Sequence, residues 1–261
     1  MEHNHFSAAK RRLDDDGFAL LPGFIEPRLL EAQRERIERL YAEEGDNAGA
    51  EFKQEPGSRR LANLVDKGDV FLEPLAAQDV LALVRHVLGG DIKLSSMNAR
   101  SVNPRWPHNQ PLHADMGAVA DERGYWVCNT VWLMDDFTAE NGSLRVVPGT
   151  HRLGRLPQEA LDDLSAPHPD EVLITGRAGD VLVMNAHLWH GGTANQTGRP
   201  RTALHVFFCR HDKPQQQHQK RLVRAEVQAQ LSPELRELLA LDDSLNDCLS
   251  AEVATRSGFL K

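Results

Sequence analysis

Apolar residues recur at two different periods along this chain, and the change of period divides it. Between residues 26 and 44, Leu29, Leu30, Ile37 and Leu40 fall at helical spacing among charges, with Pro27 near the start. That pattern predicts an amphipathic helix. Residues 74–88 predict a second helix, stopped by Gly89-Gly90. The polar, glycine-bearing stretch 46–60 reads as a surface loop, with a flap over a site as the alternative. From Ile92 onward the pattern is one of short strands broken by Pro, Gly and Asn-Gly turns. Asn141-Gly142 lies between two apolar runs and signals a hairpin. Gly179-Asp180 marks a turn into Val181-Leu182-Val183-Met184, and residues 158–164 suit a short connecting helix. After Arg210 the chain is polar and helical again. There Ser232-Pro233-Glu234 offers an N-cap, a first-turn proline and a first-turn acid ahead of Leu235, Leu238 and Leu239. The expectation is one mainly β domain over 1–261, with a helical part at about 1–90, a strand-rich core at about 91–210 and a helical tail at about 211–261.

Composition narrows the class. A chain of 261 residues, 41% hydrophobic, can bury one large core. A formal charge of −8 argues against nucleic acid or an anionic membrane as partner. Cys128, Cys209 and Cys248 form no CxxC pair and no disulfide framework, which favours a reducing compartment. The start Met-Glu-His-Asn-His shows no apolar signal region, and no run approaches the ~18 apolar residues of a membrane span. The expectation is a cytoplasmic protein with no membrane partner.

The chemistry concentrates at His113-Ala114-Asp115, with His190 and Arg201 downstream. Two histidines and one carboxylate are the ligand set of the facial triad, which holds Fe(II) on one face and leaves the others open. On a strand, His113 and Asp115 would point to the same side. Arg201 follows His190 by eleven residues, far enough to turn and run back along a neighbouring strand. A guanidinium there can grip a carboxylate bidentately. His187 is a rival to His190, although on an extended strand the two would face opposite sides. Arg199 is a rival to Arg201 and suits a solvated turn.

The context of these residues carries more information. Asn109-Gln110-Pro111-Leu112 precedes the His-x-Asp pair, and Met116-Gly117 follows it. Then come Val131-Trp132-Leu133-Met134-Asp135-Asp136-Phe137, Glu140-Asn141-Gly142-Ser143-Leu144-Arg145-Val146-Val147-Pro148-Gly149-Thr150-His151-Arg152, Ala178-Gly179-Asp180-Val181-Leu182-Val183-Met184-Asn185 and Trp189-His190-Gly191-Gly192, followed by Asn195, Thr197 and Arg201. In this order the segments resemble the phytanoyl-CoA dioxygenase family of Fe(II)/2-oxoglutarate oxygenases. The run Asp16-Gly17-Phe18-Ala19-Leu20-Leu21-Pro22-Gly23-Phe24 is similar to the family's opening strand. The resemblance is strong over 110–208 and weak over 211–261.

The resemblance implies a double-stranded β-helix, the cupin-like jelly roll, packed by helices. It implies oxidative decarboxylation of 2-oxoglutarate to succinate, with Fe(II) and O2, coupled to oxidation of a second substrate. It selects His113, Asp115 and His190 as metal ligands and Arg201 as the clamp on the distal carboxylate of 2-oxoglutarate. It adds Gln110 and Thr150, and more weakly Thr130, as hydrogen-bonding partners of the co-substrate. An acid at Asp115 points to oxygenation, since Ala or Gly there would open a position to chloride. Asn195 and Thr197 read as turn residues that fix Arg201. Asp135-Asp136 reads as a turn-capping pair, and the pair His3 and His5 as a loose end. Trp106, Trp126 and Trp132 read as core. Loops 46–72, 116–127 and 153–170, together with the C-terminal region, would wall the pocket. Arg59, Arg60 and Arg123 read as solvated charges, with contact to an anionic substrate as the alternative. The expected partner is a small molecule, a natural-product intermediate by default, with a homodimer possible. The competing readings are a non-catalytic cupin-like metal-binding or sensory protein, and an oxygenase acting on a protein or peptide.

Overall fold

Residues 3–251 are described in a computed structural model. Helix α1 (His3–Asp15) leads into β1 (Phe18–Leu21). Helix α2 (Pro27–Glu44) has Pro27 in its first turn and buries Gln33, Ile37, Leu40 and Tyr41. The expected 46–60 loop is shorter than its polarity suggested, because Ser58–Leu61 form an edge strand, β2. The expected 74–88 helix is broken at Ala77, whose ψ of 86° is not helical, into α3 (Glu73–Ala76) and α4 (Gln78–Leu88). Gly89, at φ 81°, closes α4 as expected. Of the amino-terminal histidine pair, the His3 side chain lies outside the described residues and His5 is exposed.

The strands follow as β3 (Ile92–Val102), β4 (Val127–Leu133), β5 (Leu144–Val146), β6 (Val172–Ile174), β7 (Val181–Asn185), β8 (His190–Gly192) and β9 (Arg201–Arg210). They form a six-stranded sheet in the order β1-β7-β4-β9-β3-β2 and a three-stranded sheet in the order β6-β5-β8. All pairings are antiparallel. This is the expected jelly roll with flanking helices.

Asn141-Gly142 does form a turn, with Gly142 at φ 81° and the Asn141 carboxamide accepting from Thr138 N–H. It does not close a hairpin between sequential strands, because β4 stays in the large sheet while β5 pairs with β6 and β8. The turn carries the chain from one sheet to the other. Gly179-Asp180 behaves as expected. The Asp180 carboxylate accepts from Gly23 and Arg177 backbone N–H and fixes the entry to β7. The helix expected over 158–164 is reduced to one 3-10 turn at Pro157–Glu159. Beyond it the buried Arg145 guanidinium takes the carbonyls of Leu164 and Ala166, which holds that connection open.

Period-2 alternation decides what each face of the large sheet does. Cys128, Trp132, Leu204, Val206 and Phe208 point outward and join one cluster with α1, α2 and α4. Val131, Leu133, Leu182, Met184 and Ala203 point inward and pack with Val146 and Ile174 of the small sheet. Thr130 pairs with Val206 in the register, so it belongs to the outer face. Its hydroxyl donates to the Val206 carbonyl at 3.1 Å and accepts from the Trp132 indole at 3.0 Å. The expected contact of Thr130 with the co-substrate is therefore corrected: its hydroxyl is taken up beneath the helices.

The tail adds α5 (Gln219–Leu222), α6 (Ala225–Gln228), α7 (Pro233–Leu238) and α8 (Ser244–Leu249), with Ser232 capping α7 through Leu235 N–H. Lys93, fully buried on β3, donates to the His211 carbonyl and the Asn246 side chain and so ties the tail to the sheet. At the end of β9, Arg210 forms ion pairs of 2.6 Å with both Asp121 and Asp212.

Two outcomes follow. Thr130→Val strands the Trp132 indole N–H, which costs about 1–3 kcal/mol; chemical denaturation should show that loss while 2-oxoglutarate binding is unchanged. The Arg210 hydrogen bond, ahead of the opposing effect of partial burial, holds Asp121 well below the usual carboxylate range. The stability it contributes is present above about pH 4, where unfolded Asp is ionised, and is lost as pH falls further. Denaturant midpoints below pH 4 should therefore fall more steeply for wild type than for Asp121→Asn.

Candidate metal centre

His113 lies in an extended segment that touches the first residue of β8. His113 and His190 form an isolated antiparallel bridge, with N–H to carbonyl distances of 2.9 and 3.0 Å in the two directions. The next residue, Gly191, permits this approach. A Cβ there would stand 2.7 Å from the Gln110 carbonyl. Gly191, directly after His190, thus has a steric reason. Asp115 begins a 3-10 turn and is fixed by its N–H to the Ala186 carbonyl at 2.9 Å. The turn continues through Met116 in the left-handed region at φ 57°.

One side-chain atom of each of the three residues lies within 4.8 Å of the others. The Asp115 Oδ1 is 3.7 Å from His113 Nε2 and 3.6 Å from His190 Nε2. Each imidazole is oriented from behind, since Nδ1 of His113 meets the Pro111 carbonyl at 2.9 Å and Nδ1 of His190 meets the Leu188 carbonyl at 2.8 Å. A carbonyl accepts only, so both Nδ1 atoms carry a proton, and each Nε2, once deprotonated, can present its lone pair to one point. Burial, then repulsion from His190, pushes His113 down to about 4. For His190 the Asp115 carboxylate outweighs burial and raises the pKa. For Asp115 burial opposes ionisation, but His190 outweighs it and the carboxyl stays ionised. Two imidazoles and a carboxylate converging on one point fit a divalent transition metal with an open face.

Arg201 opens β9 on the inward face, at the mouth of the Asn195 turn. Asn195 is fully buried, donates to the Arg199 carbonyl and accepts from the Thr197 N–H and hydroxyl. The expected turn-fixing role of Asn195 and Thr197 agrees with these bonds. Arg201 stacks 4.1 Å from the Phe137 ring, donates one Nη2 bond to the Gly142 carbonyl and leaves its buried Nε without a partner. Burial, then Arg100, pushes it down to about 9. A buried guanidinium with an unused donor fits a ligand carboxylate. Arg199, by contrast, is exposed.

Gln110 lines the cavity in front of the metal residues, and its Oε1 accepts from Gly192 N–H at 3.1 Å. Thr150 is placed otherwise than expected. Its hydroxyl donates to the Val147 carbonyl at 2.7 Å and accepts from Trp189 N–H at 2.9 Å. The expected hydrogen bond from Thr150 to the co-substrate is corrected to a clamp on the backbone just before His190. His187 lies in the turn before β8, with its Nδ1 at 2.9 Å from Asn185 and its ring against Tyr125 and Trp126. Asp135 and Asp136 accept from the backbone N–H groups of Thr202 and Ala178, as turn caps do.

The cavity measures about 770 Å³ and is lined by residues that sequence reading passed over, among them Arg60, Arg100, Asn129 and His205. Asn129 donates to Asp115 Oδ2 at 3.4 Å. Burial keeps His205 far below its ordinary pKa, hence neutral. Arg60, read as a solvated charge, is 7% exposed and faces the cavity. Arg59 and Arg123 do sit at the surface. The missed signal was alternation: Asn129, not its neighbour Thr130, shares a face with Val127 and Val131.

Residues 13–203 match the family described as phytanoyl-CoA dioxygenase (PhyH). The dioxygenase af480 of Aspergillus fumigatus is 28% identical over 71% of this chain, which spans 60% of that protein's length. The ectoine dioxygenase of Nocardia farcinica is 26% identical, with 75% of this chain and 74% of that protein covered. HygX from Streptomyces hygroscopicus, solved with nickel, 2-oxoglutarate and hygromycin B, superposes with a TM-score of 0.62 at 21% identity, covering 82% of this chain and 89% of that one. The family match spans all three residues of the His113–Asp115–His190 cluster and Arg201: the protein belongs to the phytanoyl-CoA dioxygenase family.

Proposed function

We propose that the protein hydroxylates, or otherwise oxidises, an unactivated C–H bond of a small molecule. The reaction class is the family's: Fe(II)- and 2-oxoglutarate-dependent dioxygenation. One oxygen atom of O2 enters the substrate, the other enters succinate, and 2-oxoglutarate leaves as succinate and CO2. The observation that carries the reading is the convergence of three donors on one point, in a chain that also holds a buried arginine with an unused donor.

His113 Nε2, His190 Nε2 and the Asp115 carboxylate would hold the iron. Bound Fe(II) with 2-oxoglutarate supplies the oxygen activation. The protein's residues do the rest. Arg201 neutralises the far carboxylate of the co-substrate and so selects a diacid of that length. The Pro111 and Leu188 carbonyls keep both imidazoles in the ligand tautomer. Asn129 holds one oxygen of Asp115 and leaves the other for the metal. Neutral His205 adds no charge beside the centre. The protein's task is to place the target hydrogen and exclude water.

A cavity of about 770 Å³ suits a small molecule. A natural-product substrate is read from HygX, which holds hygromycin B. We take 1–261 as a single catalytic domain because the amino-terminal helices, the sheet and the tail share one apolar cluster. Among the described residues no helix is long and apolar enough to cross a membrane. Cys128, Cys209 and Cys248 are all free thiols, which supports the cytoplasmic assignment.

Protein reconstituted anaerobically with Fe(II) and then given O2 should release succinate and CO2 from 2-oxoglutarate slowly without substrate. His113→Ala should abolish this release. Arg201→Ala should raise the Kd for 2-oxoglutarate by about thirtyfold or more, since losing one partner of a buried charge pair costs ~2–5 kcal/mol. If wild type binds neither Fe(II) nor 2-oxoglutarate, the oxygenase reading is wrong. Asn129→Ala should weaken Fe(II) binding by about 10–100-fold in a metal titration with little change in melting temperature.

A further inference from the structure

Arg60 of β2 and Arg100 of β3 are direct cross-strand partners on the inward face, and both line the cavity. Like charges placed opposite each other on a sheet repel. Neither can swing into solvent: the Arg60 side chain is 8% exposed and that of Arg100 is 21% exposed. Between them sits Glu55, contributed by the loop before β2. Its carboxylate lies 3.3 Å from Arg60 and 2.5 Å from Arg100. The corner still carries two guanidinium groups against one carboxylate, and the Nε atoms of both arginines are buried without partners. Phe52 from the same loop lies under the Arg60 guanidinium at 4.8 Å. The other acid lining the cavity is Asp115, which belongs to the metal cluster.

The corner is distinct from the place assigned to 2-oxoglutarate. Arg201 is on β9, and Arg60 is two strands away on β2, a separation of about 10 Å at ordinary strand spacing. Arg100 stands opposite Ala203, two residues along β9 from Arg201. A molecule reaching from the metal centre toward β2 therefore meets a second cationic surface.

The loop carrying Glu55 is tied down on one side of that residue. It is anchored at its far end, where Gly57 packs on the Trp106 ring so closely that a Cβ would stand 2.2 Å from it. The Gly57 carbonyl accepts from Asn103 N–H at 2.8 Å. Glu55 lies two residues before this anchor and has no such backbone tie to the sheet among the bonds described. Its carboxylate is a side-chain occupant of a site made for an oxyanion.

We propose that Arg60 and Arg100 form the subsite for an anionic group of the oxidised substrate, a carboxylate or a phosphate, and that Glu55 holds that subsite until the substrate displaces it. The inference rests on the oxygenase reading and names the substrate class for the same cavity. A planar fork facing a bidentate oxyanion gives both affinity and orientation. Orientation is what the chemistry requires, because anchoring one end of the substrate fixes which hydrogen faces the metal.

The test uses the Fe(II)–2-oxoglutarate protein, kept anaerobic, with benzoate and inorganic phosphate as probes and methyl benzoate as the uncharged control. Binding is read by calorimetry for wild type, Glu55→Gln and Arg60→Gln, and 2-oxoglutarate affinity is measured separately for each. Glu55→Gln should bind one of the two anions at least tenfold more tightly than wild type, and Arg60→Gln at least tenfold more weakly, with methyl benzoate unchanged. The anion that gains identifies the group as carboxylate or phosphate. Unchanged anion affinity in Glu55→Gln overturns the proposal even if Arg60→Gln fails to fold. Loss of 2-oxoglutarate binding in Arg60→Gln also overturns it, because the corner would then serve the co-substrate. Wild type that binds no Fe(II) and no 2-oxoglutarate removes the oxygenase reading itself, a result separate from the other two.

Discussion

Two reciprocal backbone hydrogen bonds between His113 and His190 join segments that are far apart in sequence. Side chains on directly opposed residues of an antiparallel pair lie side by side, and the two imidazole centroids are 4.4 Å apart. Much else in the site answers to that pairing. Gly191 must lack a side chain so that the Gln110 backbone can approach. Thr150 must hold Trp189 N–H so that β8 starts in register. Asp115 must turn back within two residues, which its bond to Ala186 and the left-handed Met116 accomplish. The ligand set is thus a consequence of backbone pairing, and side-chain packing has only to trim it.

Most of the fold was legible because period and punctuation are local signals. α2, the stop at Gly89, the turn into β7 and the cap at Ser232 are each dictated by residues within a few positions. The misreadings share a different cause. Asn141-Gly142 makes the turn its sequence asks for, but which strand comes next to which is set by the two-sheet architecture. Residues 158–164 lose their helix to Arg145, which lies outside the segment. Arg60 looks like a surface charge in a polar stretch until β2 is paired with β3 and turned inward.

The metal cluster was legible for the opposite reason. A His-x-Asp pair is weak evidence alone, but it came with a distant Trp-His-Gly-Gly and an arginine eleven residues beyond it. The hydroxyls were harder. Thr150 and Thr130 both sit near the right segments, yet a hydroxyl is small and satisfies itself on the nearest carbonyl. Whether it also faces a cavity depends on one residue of strand phase. Thr130 and Asn129 differ by that single step, and the step separates the helix-packed face from the site.

Charge is what the apolar pattern could not convey. The inward face of the large sheet carries Arg60, Arg100 and Arg201 together with the apolar Val131, Leu133 and Ala203. Burying a guanidinium is costly unless an oxyanion meets it. Arg60 and Arg100 share a single internal acid, and Arg201 meets a carbonyl and an aromatic ring. Replacing a whole buried ion-pair cluster with well-packed apolar residues is often neutral or stabilising, so burial of these charges is not explained by stability. Arg60 and Arg100 stand in the wall of a cavity that also holds His113 and Asp115, and Arg201 is buried with a donor unused; anions that arrive from outside the chain would complete these electrostatics.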